Sequence, residues 1–218
     1  MLIRITDVLP PEALETLIAD IMAAEGFGDG AATAGWHARL VKKNEQLAAS
    51  DAAPLLAGVE AALLAHPVFQ AAARPKRLVK LLISRYRPGM EYGLHVDDAL
   101  MGGERTDLCF TYFLSSPDDY EGGELELSEA YSDRAIKLGK GELILYPSTT
   151  LHRVTPVTRG ERLAIVGWVR SHVRAADERE ILFDLENALS GVFAREGKSA
   201  LFDTLAKART NLLRKWAD

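Results

Sequence analysis

The sequence predicts a mainly β protein with helical flanks, and the residue patterns of three successive stretches indicate this class. Between Arg77 and Ser171, short apolar runs alternate with glycine and proline turn signals, which is typical of an all-β sandwich or barrel and not of βαβ units. On both sides of this stretch apolar residues recur at helical spacing. We therefore predict an N-terminal region at 1–76 packed on the core, a β domain at 77–171 and a C-terminal helical extension at 172–218.

The N-terminal region is predicted to contain a short strand and two helical segments. Residues 2–8 (LIRITDV) have a pattern typical of a short strand, and Pro11 suits the first position of a helix. A second helical pattern covers residues 51–73, where a His-Pro pair interrupts it. The glycine- and alanine-rich stretch 26–35 between the two segments is expected to be a loop.

The C-terminal extension is predicted to form two amphipathic helices within residues 177–216. Their apolar stripes consist of Leu182, Leu185 and Leu189, and of Leu201, Leu205, Leu212 and Trp216. Such stripes need a partner surface. That surface is either the subunit's own sheet or a second subunit, so a homodimer through these helices is one expectation.

Composition narrows the class of protein. The chain has 218 residues, is 48% hydrophobic and carries a formal net charge of −5. It therefore lacks the basic surface expected of a nucleic-acid or anionic-membrane partner. Cys109 is the only cysteine, so an intrachain disulfide is impossible. Charges interrupt the N-terminus and no run approaches the roughly 20 apolar residues of a membrane helix. We expect a cytoplasmic protein with no nucleic-acid or membrane partner.

Four residues carry the chemical signal. His95 and Asp97 stand two apart, and on a strand such residues face the same side. Alone, this pair is more often a hydrogen-bonded surface pair. His152, however, follows the run GELILYPS, and Arg162 begins the next apolar strand. Two histidines and one carboxylate form a facial triad suited to non-haem Fe(II), and an arginine can bind a distant carboxylate bidentately. A co-substrate such as 2-oxoglutarate, which chelates metal at one end, fits this pattern.

Two other functions fit the same ligand set. A zinc-dependent hydrolase could use the three residues, because affinity order favours zinc at nitrogen and oxygen sites. It would need a general base near the metal-bound water, and the sequence does not place one. A non-catalytic barrel that binds a small molecule is the second alternative. Neither alternative gives Arg162 a role.

Several longer motifs resemble one known family, the PKHD-type hydroxylases. These bacterial proteins are relatives of the prolyl 4-hydroxylases within the iron/2-oxoglutarate oxygenases. The motifs are SRYRPGMEYGLHVDDALM (84–101), RTDLCFTYFLS (105–115), YEGGEL (120–125) and LYPSTTLHRVTPVTRGERLAIVGWVRS (145–171). The resemblance covers almost the whole chain. It implies a double-stranded β-helix (jelly-roll) core, Fe(2+), 2-oxoglutarate as co-substrate and often L-ascorbate. The implied reaction uses O2, converts 2-oxoglutarate to succinate and CO2, and hydroxylates a small-molecule or peptide substrate.

The resemblance also implies roles for individual residues. The positions that match the metal ligands are His95, Asp97 and His152. Arg162 matches the partner of the 2-oxoglutarate carboxylate, and Tyr86 matches a tyrosine that lines the pocket. One position departs from the pattern, because Phe113 stands where animal-type prolyl hydroxylases have a tyrosine. Thr111, on the same face of that strand, is the candidate to replace its hydrogen bond to the co-substrate.

Neighbouring residues are expected to have other roles. Arg153 is expected to form a structural pair, Asp98 to be solvated or to lie behind the metal ligands, and Cys109 and Trp168 to belong to the core. The polar segment 41–46 (VKKNEQ) is a candidate loop over the site. Three further histidines lack ligand spacing and are not expected to bind iron: His37, His66 and His172.

Overall fold

The larger of the two main sheets forms the centre of the molecule. A computed structural model describes residues 1–128 and 132–218. In this sheet the antiparallel strands lie in the order β1-β13-β9-β16-β5-β4-β2. Its strands are β1 (Ile3–Ile5), β2 (Phe27–Asp29), β4 (Glu45–Leu47), β5 (Pro75–Tyr86), β9 (Leu108–Phe113), β13 (Leu143–Pro147) and β16 (Arg162–Ser171).

A smaller sheet, in the order β12-β11-β14-β6-β3, carries the other half of the β core. Its strands are β3 (Lys42–Lys43), β6 (Glu91–His95), β11 (Leu125–Ser128), β12 (Asp133–Ile136) and β14 (His152–Val154). Two small hairpin-like pairs complete the strands: β7 (Leu100–Met101) with β8 (Glu104–Arg105), and β10 (Tyr120–Gly122) with β15 (Val157–Gly160). The antiparallel two-sheet arrangement is a jelly-roll core, as the sequence predicts.

Helices pack against one face of the larger sheet and against one another. They are α1 (Pro11–Ala23), α2 (Ala49–Ala65), α3 (Pro67–Ala73), α4 (Ala176–Glu196) and α5 (Ala200–Trp216). On β9, Phe110 and Tyr112 belong to the apolar cluster that contains the buried faces of α1 to α3. Cys109 and Phe113, which alternate with them, belong to the cluster on the other face. This strand alternation separates a dry helix-packed core from the face that lines the cavity.

The two predicted helical segments of the N-terminal region are confirmed. His66 separates α2 from α3, which are bent by 77° at this break. Its side chain accepts the backbone N–H of Phe69 while Pro67 occupies the first turn of α3, an arrangement that ends one helix and starts the next. No single helix in the described part of the chain is long and apolar enough to cross a membrane, and only this bent pair passes that test, by length and composition alone.

Two predicted loops are wrong. The 26–35 stretch contains β2 and a 3₁₀ helix at Gly30–Thr33, because β2 pairs with β4 at the edge of the larger sheet. Residues 41–46 contain β3 and most of β4, which extend the smaller and the larger sheet respectively. Edge strands this short gain their stability from backbone pairing, which leaves little hydrophobic periodicity for sequence analysis to detect. The predicted strand at 2–8 is confirmed in its centre, as β1.

The C-terminal extension forms the predicted helix pair. In α4 the residues Leu182, Leu189 and Val192 are buried, and the helix packs against α3 and α5. The buried Arg74, which follows α3, donates hydrogen bonds to the Leu182 carbonyl and to the Glu186 carboxylate. The extension is therefore attached to the subunit's own core through both apolar and charge-assisted contacts.

Candidate metal and co-substrate site

The structure brings His95, Asp97 and His152 together. β6 and β14 are paired neighbours with His95 opposite His152, and their ring centroids are 4.3 Å apart. Asp97 follows the end of β6, and its Oδ1 lies 3.9 Å from Nε2 of His152. One potential ligand atom from each residue lies within 4.8 Å of the others. The three side chains can therefore share one metal ion.

Hydrogen bonds orient both histidines. Nδ1 of His95 lies 2.8 Å from the Gly93 carbonyl oxygen, and Nδ1 of His152 lies 3.0 Å from the Thr150 carbonyl oxygen. A carbonyl only accepts, so each Nδ1 must carry a proton, and in the neutral ring the free lone pair is then on Nε2. Burial, reinforced by the nearby His152, lowers the pKa of His95 to about 3. The imidazole is therefore neutral at pH 7, as a metal ligand must be.

A β-bulge adds Tyr92 to the site. Tyr92 pairs with Val154 and His95 pairs with His152. Between these two pairs β6 has two residues and β14 has only one. The extra residue turns Tyr92 to the same side as His95, and the two rings stack with centroids 3.6 Å apart. Sequence analysis missed Tyr92, because strict alternation places it on the opposite face and no local signal marks the bulge.

The donor set fits a divalent transition metal. The side chain of Asp97 is 7% exposed, and its Oδ2 has no hydrogen-bond partner among the described residues. A buried carboxylate oxygen without a partner is costly, and a cation bound there would remove this cost. Two imidazoles and one carboxylate leave coordination positions open, the arrangement used by non-haem Fe(II) centres.

Arg162 lies at the enclosed end of the same cavity. Its side chain is among the most buried of the protein, at 1% exposure. The guanidinium carbon lies 5.2 Å from the centre of the Tyr86 ring and 5.4 Å from that of Phe113. Its Nε and Nη2 have no hydrogen-bond partner in the part of the chain that the structure describes. An unpaired buried cation is strongly unfavourable, so this end of the cavity is suited to a carboxylate.

The other predicted co-substrate residues line this cavity as well. Burial raises the pKa of Tyr86 to about 12, so its hydroxyl stays protonated and can donate. Thr111 is buried on β9, two residues from Phe113. Phe113 itself presents only a ring to Arg162.

The neighbouring residues differ in their positions. Arg153 forms the expected structural ion pair, 2.5 Å from Glu126. Asp98, Cys109 and Trp168 all line the cavity, so Trp168 is more than a core residue. Among the described residues, the histidines outside the triad do not join the metal-ligating group: His37, His66 and His172.

Comparison with known proteins assigns the family. Residues 81–170 match the sequence model of the 2OG-Fe(II) oxygenase superfamily. The chain is 51% identical to a PKHD-type hydroxylase of Maricaulis maris and 50% identical to one of Gloeothece citriformis, over the full length of each protein. The chain belongs to the PKHD-type hydroxylases. It is therefore an Fe(II)/2-oxoglutarate-dependent dioxygenase, and the family resemblance of the motifs is confirmed.

Solved structures confirm the fold. A prolyl-4-hydroxylase from Pseudomonas putida aligns with a TM-score of 0.56 at 21% identity, covering 78% of this chain and 92% of that chain. A prolyl hydroxylase from Trichoplax adhaerens, in complex with a hypoxia inducible factor peptide fragment, aligns with a TM-score of 0.57 at 17% identity, covering 83% and 86%. At these identities the likeness shows the shared jelly-roll fold alone.

Proposed function

We propose that this dioxygenase hydroxylates a C–H bond of a small molecule or peptide and converts 2-oxoglutarate to succinate and CO2. In this proposal Fe(2+) is bound by His95, Asp97 and His152, and the distal carboxylate of 2-oxoglutarate by Arg162. The observation that carries it is a buried guanidinium with two unpartnered nitrogens, Nε and Nη2 of Arg162, in the same cavity as a triad with an unpartnered carboxylate oxygen. One dicarboxylate and one cation would satisfy both groups.

The protein's own contribution is positioning and exclusion of water. Iron and 2-oxoglutarate, when bound, supply the activation of O2. The backbone carbonyls of Gly93 and Thr150 keep both histidine rings turned toward the cavity. Tyr86 and Phe113 surround the guanidinium of Arg162 and keep water from competing for it, which strengthens a charge-assisted hydrogen bond.

Two hydroxyl groups are assigned supporting roles. Tyr86 donates to the co-substrate carboxylate beside Arg162, which its position against the guanidinium supports. Thr111 takes the hydrogen bond that Phe113 cannot make, because it lines the cavity from the same strand. Ascorbate serves as a reductant that keeps the iron ferrous, a role that rests on the family resemblance alone.

The alternative functions leave these features unexplained. A zinc-dependent hydrolase or a non-catalytic barrel would have no use for Arg162, and the family membership argues against both. A zinc hydrolase would also form no succinate. The same holds for a simple binding protein.

The decisive measurement is formation of succinate from 2-oxoglutarate by the protein reconstituted with Fe(II). We expect slow uncoupled succinate formation without substrate and faster formation with a fractionated cell extract. With ¹⁸O2, the extract should yield products that contain one labelled oxygen atom. The iron is loaded without air and its content is verified, and the assay is then run with O2. Absence of succinate in that assay would contradict the proposed reaction.

Three broader predictions from the sequence stay predictions: the division into three regions at 76 and 171, the cytoplasmic location, and a homodimer through α4 and α5. Ile181, Phe193 and Leu201 are exposed on these helices, which supports an interface there. Sedimentation of the full chain at several concentrations tests the homodimer, and a concentration-independent monomer would reject it.

A further inference from the structure

A second group of cationic side chains lines the cavity away from Arg162. Lys42 of β3 and Lys80 of β5 both border it. On β5, Tyr86 stands opposite Arg162 whereas Lys80 stands opposite Trp168. Six residues of strand separate the two positions, which corresponds to about 20 Å. Lys80 is therefore too far from Arg162 to share its carboxylate.

Lys42 lies one aromatic ring away from the triad. Its Nζ donates a 3.0 Å hydrogen bond to Oγ1 of Thr33 and lies 5.1 Å from the centre of the Tyr92 ring. That ring stacks on His95. A ligand held by the ammonium group would accordingly lie beside the proposed metal, where a substrate must be.

The lysine charges are only partly balanced by the protein, because Asp97 and Asp29 raise the pKa of Lys42 less than burial and Lys80 lower it. In the described ranges 1–128 and 132–218, neither Lys42 nor Lys80 forms a salt bridge, although Asp98 borders the same cavity. Burial and the neighbouring Lys80 together lower the pKa of Lys42 to about 8, against the opposing effect of Asp97. Two ammonium groups that repel each other in a partly dry cavity favour binding of an anion.

A third donor faces the same region. Nε1 of Trp168 is buried and has no hydrogen-bond partner among the described residues. The indole N–H can only donate, and Trp168 pairs across the sheet with Lys80. Donors from three separate strands therefore border one part of the cavity. Among the described residues, Lys42 has a protein acceptor, whereas Lys80 and Trp168 have none.

We propose that Lys42, Lys80 and Trp168 form a subsite for an anionic group of the substrate, a carboxylate or a phosphate ester. The inference rests on the proposed function, because it places the subsite beside the iron and apart from the co-substrate. It deepens that function by naming the substrate class. The substrates are acidic, and the bond that is hydroxylated lies a short distance from their charged group.

Small probes test the subsite without knowledge of the natural substrate. The full-length protein is loaded with Mn(II) in place of Fe(II) and with saturating 2-oxoglutarate, which keeps Arg162 occupied. Paramagnetic broadening of the probe's NMR signals then reports binding close to the metal. The probes are N-acetylglycine, methyl phosphate and the neutral N-acetylglycinamide. We expect at least one anion to bind about tenfold or more tightly than the amide, and the preferred anion distinguishes carboxylate from phosphate.

Variants connect the binding to the named residues. Lys42→Met and Lys80→Met remove charge at similar length and should each weaken anion binding about tenfold, whereas Lys42→Arg should retain most of it. Trp168→Phe should weaken it by a smaller factor. Lys43→Met is the matched control, because Lys43 is the exposed neighbour on β3 and does not border the cavity. Thermal unfolding of each variant verifies that it is folded.

Two parallel assays distinguish failure of the subsite proposal from failure of the proposed function. Equal binding of the anions and the amide, no probe binding at all, or normal anion binding by both methionine variants overturns the subsite. Wild-type protein with Fe(II) is assayed for succinate in parallel. Succinate formation without anion selectivity rejects only the subsite, whereas absence of succinate rejects the proposed function.

Discussion

The two cationic regions of the cavity are built differently. Arg162 is 1% exposed and lies between two aromatic rings, so its planar group has little freedom to move. Lys42 and Lys80 are only partly buried and extend from strands of different sheets. A rigid guanidinium suits one carboxylate of constant geometry, while flexible ammonium groups suit an anion whose position varies. Under the two proposals, the rigid site binds the co-substrate and the flexible site binds an acidic substrate whose position varies.

Turnover of both the co-substrate and the substrate requires the proposed metal, so loss of the metal should have the largest effect. Asp97→Ala removes one of three proposed ligands, and changes outside the ligand shell already cost 10- to 100-fold in many metal sites. We expect Fe(II) binding and succinate formation to fall by about a hundredfold or more. Metal analysis and succinate assays measure both, with the exposed Asp118→Ala as control. Unchanged turnover in Asp97→Ala would show that Asp97 does not bind the catalytic metal.

Arg162→Leu should have the next largest effect. Leaving one charge of a buried pair without its partner costs about 3–5 kcal/mol, so the apparent KM for 2-oxoglutarate should rise by roughly a hundredfold or more. Iron content should stay normal, since the ligands are untouched. The KM of Arg162→Lys should lie between those of the wild type and Arg162→Leu, because lysine keeps the charge but lacks the planar guanidinium.

Arg159→Leu serves as the matched control for this change, because Arg159 is exposed and pairs with Glu121 at the surface. A wild-type dependence on 2-oxoglutarate in Arg162→Leu would show that the enclosed end of the cavity does not bind the co-substrate.

Gly123→Ala tests whether the position of Arg162 matters as well as its charge. Gly123 has a φ of +68°, and an added Cβ would lie 2.9 Å from Cγ2 of Val157 and 3.0 Å from Cδ of Arg162. These side chains must then give way, and we expect the displaced Arg162 to raise the KM for 2-oxoglutarate about tenfold with iron content unchanged. Gly102→Ala is the control, because it has a similar φ of +59° and no atom near the added methyl group. Equal effects of the two variants on KM would assign the change to backbone strain.

Tyr86→Phe should have the smallest effect. The ring that packs on Arg162 is retained and only the hydroxyl is lost, so one hydrogen bond of about 0.5–1.5 kcal/mol is at stake. We expect the KM for 2-oxoglutarate to rise by roughly two- to tenfold. Titration of 2-oxoglutarate with Tyr86→Phe and Arg162→Leu in parallel gives the ratio of the two effects. A change as large as that of Arg162→Leu would mean that the tyrosine, and not the arginine, dominates the enclosed end.

Sequence patterns predicted the elements that have strong periodicity. The α2–α3 break was predictable because a proline cannot continue a helix with full hydrogen bonding, and α4 and α5 because their apolar stripes are regular. The short strands β2, β3 and β4 at the sheet margins were not, since each has only two or three residues and is stabilised by its neighbours. Prediction failed where pairing, and not residue type, decides the structure.

The same division holds for the site. The sequence by itself predicted the triad residues and Arg162, because ligand chemistry depends on residue type and each residue lies on or next to a recognisable strand. Only the tertiary structure decided that Tyr92 stacks on His95, since the bulge in β6 depends on the register with β14. It also decided that Lys42, Lys80 and Trp168 border one cavity. These residues are remote in the chain, and only the packing of two sheets brings their side chains to a common space.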